Sequence, residues 1–228
     1  MRILLIRHGQ SHGNVNGRIQ GPDDPLTDLG REQANLLAPH LAKTYDIDHL
    51  YSSGLDRAQQ TAEAIAHVTG HEIQVDPRFA EIMNGHAVDM LWTDWREQNP
   101  ELAAVWGWDV RHADSAWPGG ESGRDLSTRV FAAWDELVAQ YMHTNDTFAI
   151  VSHGGAIAWL ASRINGDDLE YWPAQYGDIA NCSITDVSIS RSGEAKMEAW
   201  NLTDHLGSAY APHASVVIPD VPGERARP

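Results

Sequence analysis

Two stretches decide how this chain is read: Ile3-Leu4-Leu5-Ile6-Arg7-His8-Gly9, and, much later, Phe148-Ala149-Ile150-Val151-Ser152-His153-Gly154-Gly155. Continuous apolar runs of this kind suit strands buried on both faces of a parallel sheet. Each run delivers a histidine and a glycine at its carboxyl end. Ligands of open α/β sheets bind outside those ends, so two such strands in one sheet would bring His8 and His153 to a single pocket.

Helical and strand signals alternate between the two runs, which predicts a mostly parallel α/β sheet in one domain. Leu26, Leu29, Gln33, Leu36, Leu37 and Leu41 fall at helical spacing behind a candidate cap, Thr27, although Pro39 should kink or interrupt that helix. Ile47 to Tyr51 reads as a strand and Leu55 to Val68 as a helix with Arg57 in its first turn. Ser122-x-x-Asp125 forms a capping box ahead of an amphipathic helix over 123–142. Cys182 to Ser190 and Lys196 to Trp200 read as a hairpin of edge strands. Beyond Leu206, four prolines and little periodicity predict a flexible tail over 206–228.

Composition narrows the partners. Of 228 residues 42% are hydrophobic, enough for a sizeable core, and Lys+Arg 16 against Asp+Glu 32 leaves a net charge of −16. Such a field repels nucleic acid and anionic membrane, so neither is expected as a partner. The single cysteine, Cys182, has no internal disulfide partner, and no Cys/His cluster has zinc-ligand spacing, which fits a reducing compartment. No stretch approaches the ~18 apolar residues of a membrane span, and the apolar opening is too short for a secretory signal; a soluble, cytoplasmic protein is expected.

The runs belong to an ordered set of blocks: Arg7-His8-Gly9-Gln10-Ser11-x-x-Asn14, Pro25-Leu26-Thr27-x-x-Gly30-x-x-Gln33-Ala34, Ser52-Ser53-x-Leu55-x-Arg57-Ala58-x-x-Thr61-Ala62, Pro118-Gly119-Gly120-Glu121-Ser122 and Ser152-His153-Gly154-Gly155. In that order and spacing the chain, from Arg2 to about Trp200, resembles the histidine phosphatase superfamily, the phosphoglycerate mutase-like family, and within it the small phosphatase branch. The resemblance implies a three-layer α/β/α sandwich over 1–205, with a cap at about 82–117 over the site. It implies no cofactor and a small phosphomonoester as substrate.

The chemistry suits those residue types. A neutral imidazole is a good phosphoryl acceptor, which makes His8 the candidate nucleophile. Guanidinium groups neutralise phosphoryl oxygens through bidentate hydrogen bonds, a role that fits Arg7 and Arg57, with His153 beside them. Gly9 and Gly154, without a Cβ, would let backbone N–H groups approach the phosphate, and Asn14 is a further donor by resemblance. Gln20 and Gly21 are candidates for the substrate loop. The leaving group needs a proton, which the family takes from a carboxylate at the place of Glu81 here. The family's usual continuation is replaced by Asn84-Gly85-His86-Ala87-Val88-Asp89, so Glu121 and Asp89 stand as alternative acids.

Taken singly, His153 reads as a helix-capping histidine, Arg57 as a solvated helix residue and Glu81 as a surface charge; only jointly do they describe a phosphate pocket. His12, His86 and His112 belong to no motif. Two histidines flanked by arginines should repel a divalent cation, so no catalytic metal is expected. Gln10 stands where mutases carry a glutamate, and with Lys43 and Lys196 as the only lysines a second basic cluster is hard to assemble. The expected activity is therefore hydrolysis of a monoester with few further negative charges. Phosphoglycerate mutase chemistry is the alternative, and an inert phosphate-binding module a remoter one. Trp92, Trp95, Trp106, Trp108 and Trp117 either form a satellite core under the cap or line the pocket mouth. The hairpin offers an edge for a homodimer.

Overall fold

The computed structural model describes residues 1–105, 111–177 and 179–209. In chain order the elements are β1 (Arg2–Arg7), α1 (His12–Val15), α2 (Asp28–Thr44), β2 (His49–Ser52), α3 (Asp56–Thr69), β3 (Ile73–Val75), α4 (Trp92–Gln98), α5 (Pro100–Val105), α6 (Gly123–Tyr141), β4 (Thr147–Ser152), α7 (Gly154–Asn165), β5 (Ile184–Ile189) and β6 (Ala195–Leu202). The six strands form one sheet in the order β3-β2-β4-β1-β5-β6. β1, β2, β3 and β4 run parallel, and β5 is antiparallel to both β1 and β6.

The layers follow from the two-residue period of a strand. Ile3 and Leu5 join Phe148 and Ile150 in one buried cluster with Leu126 and Val130 of α6 and Ile157 and Leu160 of α7. Leu4 and Ile6 point the other way and join Ala149 and Val151 in a second, with Leu37 and Leu41 of α2 and Ala58 and Ile65 of α3. A strand apolar at every position needs helices on both faces, and the result is the three-layer α/β/α sandwich.

Several local expectations meet the structure differently. The helix does not break at Pro39: α2 runs on to Thr44. Proline removes a bond to the carbonyl of Asn35, and both residues lie on the exposed side of α2, where that carbonyl is open to solvent rather than buried without a donor. Thr27 caps α2 by accepting from Gly30 N at 3.0 Å. Ser122 and Asp125 form the capping box, with Ser122 N donating to Asp125 Oδ2 at 2.9 Å and Asp125 N to Ser122 Oγ at 3.1 Å. The predicted pair of edge strands is half corrected, because β5 is interior, buried between β1 and β6, and of the two β6 alone lies at an edge of the sheet. The expected tail begins docked: Leu206 is buried with the α2/α3 cluster and Gln33 Nε2 donates to Ala209 O at 3.0 Å. Residues 210–228, and the Trp106 and Trp108 readings, lie outside the described residues. Among the described residues no helix is long and apolar enough to cross a membrane.

Candidate active site

Sheet register assembles the site. Arg7 of β1 is opposite Ser152 of β4, so the next residue of each strand, His8 and His153, emerges at the same edge. His8 N donates to Ser152 O at 3.0 Å, and the two imidazole centroids are 5.0 Å apart. β2 delivers Ser53 alongside, where its Oγ lies 2.6 Å from His153 Nε2. Arg57, in the first turn of α3, reaches across to donate to Gly21 O at 2.8 Å, and Arg7 donates to Ile179 O. Arg7, His8, Arg57 and His153 are 5%, 1%, 1% and 0% exposed.

Burial gives these groups their chemical state. His8 Nδ1 lies 2.7 Å from Gly9 O; a carbonyl only accepts, so Nδ1 carries the proton and a neutral ring presents its lone pair at Nε2. Burial, with Arg57, His8 and Arg7 adding to it, holds the His153 pKa well below that of a free imidazole. Burial also pulls Arg7 down to about 10, against the opposing pull of Glu81, and lowers Arg57. Arg7 Nε, Arg57 Nε and His153 Nδ1 are buried with no protein hydrogen-bond partner among the described residues. An orphaned buried donor costs about 1–3 kcal/mol. Arg7 Nε and Arg57 Nε are two such donors, whose charges act on one another, and an anion would satisfy both.

The glycines divide. Gly9 N donates to Thr61 Oγ1 at 3.0 Å, so its N–H is spent inside the fold, contrary to expectation. Glycine is required there because a Cβ would come 2.5 Å from Gly30 O, where the β1 end crosses the start of α2. A Cβ on Gly154 would lie 3.8 Å from Arg7 Nε, an ordinary contact, in the space beside the guanidinium. The positive end of α7 starts at this residue.

Among the three carboxylates, Glu81 lines the cavity. Its Oε2 accepts from Gly155 N at 2.9 Å and its Oε1 from Ile82 N at 2.9 Å. A Cβ at Gly155 would approach Oε1 to 2.4 Å, so glycine makes room for the acid. Glu121 is instead paired with Arg129 at 2.8 Å, and Asp89 is exposed and outside the cavity lining. Asn14 lines the cavity, and its Oδ1 accepts from Ser11 N at 3.0 Å and from Asn181 Nδ2 at 3.2 Å. Gln20 also lines it, tied by Nε2 to Ser11 Oγ at 2.6 Å, whereas Gly21 contributes only the carbonyl that holds Arg57.

The cavity, ≈ 210 Å³, has a mouth that the motif blocks did not contain: Arg18, Asn84, Trp92, Arg111, Trp117 and Trp172. Arg111 is buried, with its guanidinium carbon 5.5 Å from the Trp117 ring centre and 5.0 Å from that of Trp172. Burial lowers its pKa to about 10, against the pull of Glu81. Counting lysines therefore misled, since the second basic group near the site is made of arginines. The tryptophan alternatives merge: Trp92, Trp95 and Trp117 pack with centroids 5.1–5.7 Å apart, continuous with the main core, while Trp92 and Trp117 also face the cavity. Ser53 and Gly155 stood unassigned inside quoted blocks. Arg111, Trp172 and Asn181 gave no periodic or motif signal.

Comparison with known proteins agrees with this geometry. The family model for the histidine phosphatase superfamily (branch 1) matches residues 3–203. A Shigella boydii protein named "Probable phosphoglycerate mutase GpmB" is 36% identical over 197 residues, 84% of this chain and 86% of that one. A mycobacterial glucosyl-3-phosphoglycerate phosphatase structure superposes with TM-score 0.77 at 30% identity, covering 89% of this chain and 99% of that one. The alpha-ribazole phosphatase of Shigella flexneri does so with TM-score 0.77 at 28% identity, covering 89% and 96%. The ordered blocks, the strand-end histidines and the near full-length match converge: this chain belongs to the histidine phosphatase superfamily.

Proposed function

We propose that the protein hydrolyses a small phosphomonoester through a phosphohistidine on His8. The observation that carries this reading is the buried floor, where the unpartnered Arg7 Nε, Arg57 Nε and His153 Nδ1 accompany an imidazole whose proton is fixed on Nδ1. In the first step the His8 Nε2 lone pair forms the P–N bond as the P–O ester bond breaks. Glu81, in the acid form this step requires, gives its proton to the departing oxygen. The Nδ1–H bond to Gly9 O supports the positive charge the phosphorylated ring acquires. In the second step Glu81, now a carboxylate, takes a proton from water as that water attacks phosphorus, the P–N bond breaks, and inorganic phosphate leaves. Arg7, Arg57 and the α7 N-terminus hold the charge on the phosphoryl oxygens. No step needs a metal, so chelation with EDTA should leave turnover intact.

The acidic body gives no general attraction for such a substrate, and binding rests on short-range contacts inside the cavity. At the mouth, Arg111 and Arg18 offer a cationic partner to the leaving group and Trp92 and Trp117 a flat one. That feature supports a second reading, phosphoryl transfer between the hydroxyls of a phosphoglycerate, whose carboxylate would meet Arg111. The segment 82–117, which carries most of this mouth, is the proposed cap.

His8→Ala should lower p-nitrophenyl phosphate turnover by at least about 10⁴-fold and abolish acid-labile phosphoryl labelling, with an unchanged circular dichroism spectrum. Turnover that survives this substitution would overturn the mechanism. With 3-phosphoglycerate, release of inorganic phosphate supports hydrolysis, and conversion to the 2-isomer without release supports the mutase.

A further inference from the structure

Glu81 sits on chain with no regular structure: residues 80–84, between the short turn at Pro77–Phe79 and the next at Gly85–Ala87. Such a segment has no ladder of its own to hold a carboxylate in aim. Much of its backbone is held instead by one side chain of α6. Arg129 Nη1 donates to Arg78 O at 2.9 Å and to Ala80 O at 2.8 Å, and Nη2 donates to Glu81 O at 2.8 Å. Its remaining two N–H groups go to Glu121, Nε to Oε1 at 2.9 Å and Nη2 to Oε2 at 2.8 Å. All five guanidinium donors are thus used, three of them on the carbonyls of Arg78, Ala80 and Glu81.

Glu121 completes the clamp. Its Oε2 accepts from Met83 N at 3.0 Å, and its own N–H donates to Met83 O at 2.8 Å. The pair is largely dry, at 20% and 9% side-chain exposure. Removing either member would leave the other charged and poorly paired; loss of Arg129 would also free the carbonyls of Arg78, Ala80 and Glu81, and loss of the Glu121 carboxylate would free Met83 N.

We propose that Arg129, braced by Glu121, is a positioning residue that sets the aim of the Glu81 carboxylate at the leaving-group oxygen. The proposal rests on the reading that Glu81 protonates the leaving group. Arg129 touches no reacting atom, so its effect should appear where that proton is needed and shrink where it is not.

The test compares kcat/KM for glycerol 2-phosphate, whose alkoxide must be protonated, with that for p-nitrophenyl phosphate, whose phenolate departs without a proton. Because kcat/KM reports only steps through transfer to His8, later hydrolysis does not blur the comparison. Glu81→Gln should lower the glycerol 2-phosphate value by about 10²–10⁴-fold and the other far less. Arg129→Lys, which keeps the charge but loses the fork, should show the same selectivity, with a loss at least about tenfold greater on glycerol 2-phosphate. Glu121→Gln, which keeps an oxygen for Met83 N, should follow in the same direction and carries the test if Arg129→Lys does not fold. Parallel losses on both esters, or losses on neither, in a folded variant would overturn the proposal while Glu81→Gln still discriminates. If Glu81→Gln itself does not discriminate, the acid assignment fails instead.

Discussion

The floor, the buried cluster at the strand ends, is carried by residues that leave regular elements at their ends: His8 and His153 follow β1 and β4, and Arg57 stands in the first turn of α3. Arg7 and Gly154 of this cluster line the cavity, whereas His8, Arg57 and His153 are not in its lining. The mouth is carried by Arg18, Asn84, Arg111, Trp117 and Trp172, none of which lies in a strand or a long helix. The floor therefore inherits its geometry from sheet register, where a one-residue slip would turn every side chain to the wrong face. The mouth depends on individual contacts, such as Asn84 Nδ2 donating to Gln20 O at 3.1 Å or Arg111 packed between two indoles. The first set is held by the sheet and the second by contacts that can vary without it.

The largest effect expected from breaking this contrast is structural. Trp95 is 1% exposed and packs on both Trp92 and Trp117, so Trp95→Ala should destabilise the protein by about 3–5 kcal/mol in urea unfolding. Trp92→Ala, at a half-buried ring on the cavity, should cost clearly less and change the ranking of substrates. Equal destabilisation with unchanged ranking would make the mouth tryptophans packing alone.

A smaller effect separates floor from mouth by charge. Arg111→Met keeps the indole sandwich filled but removes a charged donor worth about 1.5–3 kcal/mol to an anionic leaving group. KM for 3-phosphoglycerate should rise about tenfold or more, and by a much smaller factor for p-nitrophenyl phosphate. Equal rises would assign Arg111 to the phosphate end instead.

The smallest effect is on the floor itself. His153 is neutral in the fold, with its pKa depressed below 6.5 by burial. Below pH 6.5 the unfolded chain takes up a proton that the folded one refuses, so stability falls as pH falls and is unaffected above that value. The slope contributed is about 1.4 kcal/mol per pH unit. His205, also held down by burial, adds a slope of the same sign. Urea midpoints between pH 7 and 5 should show His153→Gln with a shallower slope than wild type. An unchanged slope would mean that the floor accepts a charged imidazole.

The parts legible in sequence and the parts that were not follow the same line. β1 and β4, the capped starts of α2 and α6 and the strand-end histidines were all readable, because each is a local pattern with a local cause: apolar runs, caps and glycines. Pro39 misled because helix tolerance depends on whether the orphaned carbonyl faces water, which only packing reveals. Gly9 misled because the path of α2, with Gly30 against it, decides where its N–H points. Arg111 was unreadable because its contacts follow no helical or strand period: Trp117 is near it in sequence but in irregular chain, and Trp172 is far away.

By itself the sequence determined the layered α/β plan, the family and the buried histidine–arginine cluster at the strand ends, since strand periodicity and chain order carry that information residue by residue. Only the tertiary structure decided which carboxylate faces the cavity, where the second cationic group stands and how Arg129 holds the acid's backbone. Those are meetings of segments with no shared period, made by side chains on backbone carbonyls and rings, and they exist only once the sheet has brought the segments together.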